Sequence, residues 1–191
     1  MISDLTNTME PTSQSTTPTD LLFDLESTGL LRRGSTIHCI VMRNMADELH
    51  DPVVFDYQPD RAIIQGIKQL EMADTLIGHN IIGYDIPLIK EQYDFDYKGK
   101  VIDTLVLSRL FYPHILDRDY ERRPAGMPQK LYGRHSLEAW GYRLRCFKGD
   151  FGKHDGNWAE YTPEMLDYCI QDTLVTVKLY QLMQRRIKDY E

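Results

Sequence analysis

The spacing of apolar residues along this chain alternates between the strand and helix periods, and the alternation divides it into elements. Leu21-Leu22-Phe23 is an uninterrupted apolar run. It is too short for a helix and fits a buried central strand. Thr36 to Met42 and Pro52 to Tyr57 are β-branched and apolar, which predicts a second and a third strand. The links between them are of turn length, the first bracketed by Gly29 and Gly34, so an antiparallel meander is expected. Ile63, Ile64, Ile67 and Leu70 then fall at helical spacing. Thr75 to His79 predicts a fourth strand ending at Asn80, Tyr84 to Tyr93 a helix, and Val101-Ile102 a short fifth strand. Asp103 stands where it can cap a helix carrying Leu105, Val106, Leu110 and Phe111.

Residues 117 to 130 are charged and contain Pro124, Gly126 and Pro128, which predicts a mobile surface loop. Ser136 is a candidate N-cap for a helix over Leu137 to Leu144, and residues 148 to 160, with three glycines, predict another loop. Thr162-Pro163 is a helix start signal, with proline tolerated in the first turn, and the last helix is expected to run toward Lys188. Strands, then alternating helix and strand, then helices give an α/β class with a mixed sheet and helices on both sides. Residues 5 to 19 are rich in Thr, Ser and Pro, so residues 1–19 are expected to be a disordered tail and 20–191 one folded domain.

Composition narrows the function classes. The 191 residues suffice for one domain with a proper core, and 42% hydrophobic with 27% charged content is ordinary for a globular protein. A net charge of −7 argues against a purely nucleic-acid-binding module, which is usually basic. It weighs less against a metal enzyme, whose acidic ligands are offset by the bound ions. Cys39, Cys146 and Cys169 are odd in number and lack zinc-ligand spacing, so reduced thiols and a cytoplasmic location are expected. No apolar run has the length of a membrane span, and the N-terminus lacks the core of a signal peptide.

Four acids and a tyrosine carry the candidate chemistry. Asp24 and Glu26 lie at the end of the first apolar run, two apart, so in a strand both carboxylates project from one face. Two like charges at a buried strand end repel unless a cation sits between them. Asp85 opens the helix after Gly-His-Asn-Ile-Ile-Gly-Tyr, where the helix dipole alone also accounts for an acid. Tyr168 and Asp172 are four apart and share a helix face. Each feature alone has a structural explanation; the order Asp-x-Glu, Asp, Tyr-x-x-x-Asp reads as one set of hard oxygen ligands for Mg²⁺-class ions. His79 at a strand end is expected to be a hydrogen-bonded structural group, and Trp140, Trp158 and Tyr161 core or loop anchors.

This order resembles the three exonuclease motifs of the DEDDy 3′–5′ exonucleases, the proofreading domains of family-A DNA polymerases, and most closely those of bacteriophages. Ile-Asp-Thr-Leu-Val-Leu-Ser-Arg (102 to 109) and His-Ser-Leu-Glu-Ala-Trp-Gly-Tyr-Arg-Leu (135 to 144) look like further signature stretches of that family. The resemblance runs from about residue 20 to the C-terminus. It implies a ribonuclease H-like fold with a central five-stranded mixed sheet flanked by helices. It also implies that Asp24, Glu26, Asp85 and Asp172 hold two divalent ions, Mg²⁺ or Mn²⁺, and that Tyr168 orients the attacking water. Ser27 and Leu30 would touch the terminal nucleotide, and Asn80 and Tyr84 would line the substrate groove. The implied reaction is two-metal-ion hydrolysis of the last phosphodiester at a single-stranded or frayed 3′ end of DNA, releasing nucleoside 5′-monophosphates. The family's polymerases continue for several hundred residues beyond this point. A stand-alone exonuclease, a subunit working with a separate DNA polymerase, and a piece of a longer polymerase all remain open. A ribonuclease of the same fold and a non-catalytic polymerase subunit are the rival readings.

Overall fold

The computed structural model describes residues 19–29, 34–47, 49–146 and 158–188. The expected tail (save Thr19), Leu30 and most of the 148–160 loop lie outside the described residues. Five strands form one mixed sheet: β1 (Asp20–Ser27), β2 (Ile37–Asn44), β3 (Val53–Phe55), β4 (Thr75–Gly78) and β5 (Lys100–Asp103), in the order β3-β2-β1-β4-β5. β1, β2 and β3 pair antiparallel, as the short links between them require, and β1-β4 and β4-β5 pair parallel. The helices are α1 (Ile63–Met72), α2 (Asp85–Gln92), α3 (Thr104–Phe111), α4 (Ile115–Arg122), α5 (Leu137–Arg143) and α6 (Pro163–Lys188). Among the described residues, no helix is long and apolar enough to cross a membrane.

β1 is central, and its alternate residues serve two cores. Leu21, Phe23 and Leu25 pack with Ile67 and Leu70 of α1 and Leu88 and Ile89 of α2. Leu22 faces the opposite side, against Ile77, Val177 and Tyr180. The period of two therefore sends Asp24 and Glu26 to the face covered by α6. Arg43 pins that helix. It is 5% exposed on β2, and its guanidinium donates to Thr173 Oγ1 at 2.8 Å and the Ile170 carbonyl at 3.1 Å. Thr162 Oγ1 accepts from the Met165 amide at 3.1 Å and closes the helix start.

The expected loop at 117–130 is a correction. Residues up to Arg122 belong to α4, and Arg123 terminates it in the left-handed region at φ 45°. The charged surface hides the helix because its inward side is built around an ion pair. Asp119 is 2% exposed, accepts from Arg143 Nε and Nη2 at 2.9 and 2.7 Å, and also takes the Gly133 amide at 2.9 Å. A buried bidentate carboxylate replaces most of the apolar stripe that periodicity seeks.

Gly78 ends β4 where a Cβ would lie 2.9 Å from the Phe23 carbonyl oxygen and would also strike the Ile81 side chain. Gly78→Ala should therefore cost about 1–3 kcal/mol in urea unfolding, as overpacking does. An unchanged midpoint would show that strands β1 and β4 are not packed this tightly.

Candidate active site

The parallel strands β1 and β4 and the start of α2 end at one edge of the sheet, and the acids converge there. Asp24 and Glu26 come from the C-terminal half of β1, Asp85 is the first residue of α2, and Asp172 comes from α6. One ligand atom each from Asp24, Glu26 and Cys169 lies within 4.8 Å of the others. Asp85 is 3% exposed, whereas Asp24, Glu26 and Asp172 keep part of their surface open.

The electrostatics are those of like charges crowded out of water. Burial first, and Asp85 second, push Asp24 well above the usual carboxylate range. Burial, then the charges of Asp24 and Asp172, raise Glu26 to about 10. Asp85 rises to about 7, chiefly by burial, although backbone amides at its own position and at Leu25 hold it down. Asp172 is raised by burial and Asp24, and is partly relieved by the hydroxyl of Tyr168. Burial and the neighbouring carboxylates keep that hydroxyl protonated far above its usual range. Such a cluster fits a divalent cation, because the charge that makes it unfavourable alone is what hard oxygen ligands offer.

The loop after β4 sets the remaining geometry. Asp103, at the end of β5, accepts from the Asn80 amide at 2.9 Å, the Ile82 amide at 3.1 Å and the Leu105 amide at 2.9 Å. It thus caps α3, as expected, and also ties down the segment that delivers Asn80, Tyr84 and Asp85. Asn80 is exposed with φ 66°. The Tyr84 hydroxyl is 2.6 Å from Ser27 Oγ, and both groups reach the Gly29 carbonyl, beside Glu26. His79 is structural: Nδ1 bonds Thr104 Oγ1 at 2.9 Å, and burial lowers its pKa to about 4.

Two neighbours of the acids escape a reading of the sequence. Cys169 is fully buried, and its thiol donates to Asp24 Oδ2 at 3.7 Å. Its place one residue after Tyr168 on the helix is the one clue the chain offers. Trp158 packs edge-on against Tyr168 with centroids 6.2 Å apart, and its carbonyl lies 3.0 Å from His38 Nε2. It is the anchor expected of it, but for a site residue. Trp140 is a core anchor 3% exposed, and Tyr161 bonds Asp56 Oδ2 at 3.3 Å.

The chain is 33% identical over 187 residues to a DNA-directed DNA polymerase of Enterobacteria phage T3, covering 84% of this chain and 26% of the polymerase. A DNA-directed DNA polymerase of Escherichia phage T7 is 31% identical over 186 residues, with the same coverage. The chain is thus similar to part of these phage DNA polymerases, and its fold is ribonuclease H-like. It spans about a quarter of the length of these curated relatives. No family model matches it. Among solved structures, NrnC of Brucella melitensis with bound Mg²⁺ superposes with a TM-score of 0.60 at 17% identity, covering 89% of this chain and 74% of that one. That likeness is one of fold.

The raised carboxylates set a sign for stability. Their folded pKa values lie above the ordinary 3.8 and 4.5, so the stability they contribute is fully present below about pH 4. It is lost as pH rises, through about 7 for Asp85 and about 10 for Glu26. In chelator, the melting temperature should fall steadily from pH 5 to pH 9, and added Mg²⁺ should raise it more at pH 9 than at pH 5. A flat profile in both conditions would contradict the crowding of ionisable acids described above.

Proposed function

We propose that the chain is a metal-dependent 3′–5′ exonuclease acting on DNA, with Asp24, Glu26, Asp85 and Asp172 holding two divalent ions and Tyr168 completing the site. The observation that carries this reading is the close pair Asp24 and Glu26 on β1, with Asp85 of α2 and Asp172 of α6 within electrostatic reach of it at the carboxyl edge of the sheet. The polymerase relatives favour DNA over RNA as substrate. Mg²⁺ in a protein of the same fold is consistent with the choice of ion.

The bound ions would supply charge stabilisation and an acidified water. The protein's own groups do the rest. Asp24, Glu26, Asp85 and Asp172 fix where the ions stand relative to the strand end. Tyr168 stays protonated, so it orients the attacking water through hydrogen bonding and does not act as its base. Ser27 and Tyr84, joined over the Gly29 carbonyl, form a polar ledge beside Glu26 for the terminal nucleotide. Asn80 reaches the groove from the exposed loop after β4, and Leu30 is assigned to the terminal nucleotide from sequence alone. Water adds to the last phosphorus, the 3′ oxygen leaves with the shortened strand, and a nucleoside 5′-monophosphate departs. A strand must leave its duplex to enter, so frayed, mispaired ends are favoured. This fits replication proofreading, either with a polymerase on another chain or within a longer polymerase. Three free, buried cysteines accord with a cytoplasmic setting.

The test is a 5′-labelled, 3′-mispaired DNA primer-template and a matching RNA strand, each with Mg²⁺ and with chelator. Stepwise shortening of DNA is expected, falling at least about 100- to 1,000-fold in folded Asp24→Ala and Asp172→Ala proteins. Tyr168→Phe should lose about 10- to 100-fold with little change in KM, since it touches water and not the strand. Full activity in the aspartate variants would remove the site assignment, and shortening of RNA alone would move the activity to RNA processing.

A further inference from the structure

A second concave site lies away from the acids. It is a cavity of about 600 Å³ between α4, α5 and the C-terminal part of α6. Its walls are aromatic and aliphatic: Tyr112, Trp140, Tyr142, Ile115 and Leu182. Arginines stand around them. Arg118, Arg122 and Arg123 come from α4 and its terminal turn, Arg143 and Arg145 from α5 and just beyond, and Arg185 and Arg186 from α6. These are seven of the 22 Lys and Arg of a chain whose net charge is −7, gathered at one cavity that no lysine among the described residues lines. Among the described residues the one carboxylate in the lining, Asp119, is spent on Arg143. Arg122, Arg123, Arg145 and Arg185 are exposed, and none of the ion pairs among the described residues engages them. Arg118 lies over the Tyr112 ring at 5.0 Å and Arg143 over Trp140 at 5.0 Å, so cationic and aromatic faces are already layered.

We propose that this cavity is a nucleotide-binding site, taking a phosphorylated nucleoside with its base against half-buried Tyr142 and the guanidinium planes layered on the buried Tyr112 and Trp140, and its phosphates against the exposed arginine rim. Several guanidinium groups converging on one volume repel one another, and a ligand that concentrates negative charge relieves them. Arginine's planar fork matches phosphate oxygens in pairs, which lysine does not do. The volume suits one or two nucleotides and exceeds what a simple anion needs. Aromatic faces beside arginine are the combination on which bases stack. An acidic peptide would satisfy the charge but leave Tyr142 and the layered guanidinium planes without a flat partner. The site is separate from the carboxylate cluster: Asp172 and Arg185 are on the same helix 13 residues apart, about 20 Å along its axis.

Binding at this cavity is independent of nuclease activity and is tested without it. Full-length protein in chelator is titrated calorimetrically with dATP, with a five-nucleotide single strand, with tripolyphosphate and with a glutamate-rich peptide. Saturable binding of dATP or the strand is expected. It should weaken at least about tenfold in Arg122→Ser/Arg185→Ser, both exposed positions, and stay unchanged in Asp24→Ala/Asp172→Ala. Preference for dATP would identify a free nucleotide as the occupant, and preference for the strand a nucleic acid leaving the catalytic edge; either supports the site. No binding at millimolar dATP, binding indifferent to the arginine changes, or equal binding of tripolyphosphate or the acidic peptide would overturn it.

Discussion

Crowded negative charge is the constraint around which this fold is arranged. Four carboxylates gather where β1, α2 and α6 come together; all are pushed up by burial, and Asp24, Glu26 and Asp172 also by the charge of other acids in the group. A protein does not keep such a cluster for its own stability, since buried like charges oppose folding. The surrounding structure supplies what holds it in place. Leu21, Phe23 and Leu25 lock β1 from one side. Arg43 fastens α6 on the other through Thr173 and Ile170. Asp103 anchors the loop that leads into Asp85 through two backbone amides, those of Asn80 and Ile82.

The same geometry separates roles among chemically similar groups. Asp103 is a buried acid like Asp85, yet its oxygens are engaged by amides, so it positions the loop and is not available to an ion. Asp119 is likewise consumed by Arg143 and Gly133. Among the described residues, no ion pair joins a cationic side chain to any of the four site acids. Asp103 and Asp119, saturated by amides or by arginine, build the fold, whereas the four site acids, with no ion pair among the described residues, gather at the sheet edge.

Much of this is legible in the amino-acid order. Short apolar and β-branched runs mark out the five strands and turn-length links their antiparallel beginning, and Asp-x-Glu on β1 puts two acids on one face by the strand period. Tyr168 and Asp172 share a face by helical spacing in the same way. What stays hidden depends on contacts between distant segments. α4 escapes because Asp119 meets Arg143 from another helix, and no local pattern announces a buried ion pair. Cys169 and Trp158 are one and ten residues from Tyr168, but only the packing of α6 on β1 brings the thiol to Asp24. Arg43 follows the second apolar run with nothing local to mark it as the buried clamp it is in the fold. The arginine cavity gathers residues from α4, α5 and α6 that are separated by more than sixty positions in the chain.

Whether the four acids act together as a cation site is decided by the stoichiometry of Mn²⁺ binding. It is measured by calorimetry and by the paramagnetic resonance of free Mn²⁺, in the metal-free protein and in Asp24→Asn and Asp172→Asn. Two saturable Mn²⁺ per chain are expected in the wild type, with weaker binding and lost stoichiometry in each variant. Failure of folded wild-type protein to bind Mn²⁺ at millimolar concentration, or binding that both variants leave untouched, would contradict a shared cation site.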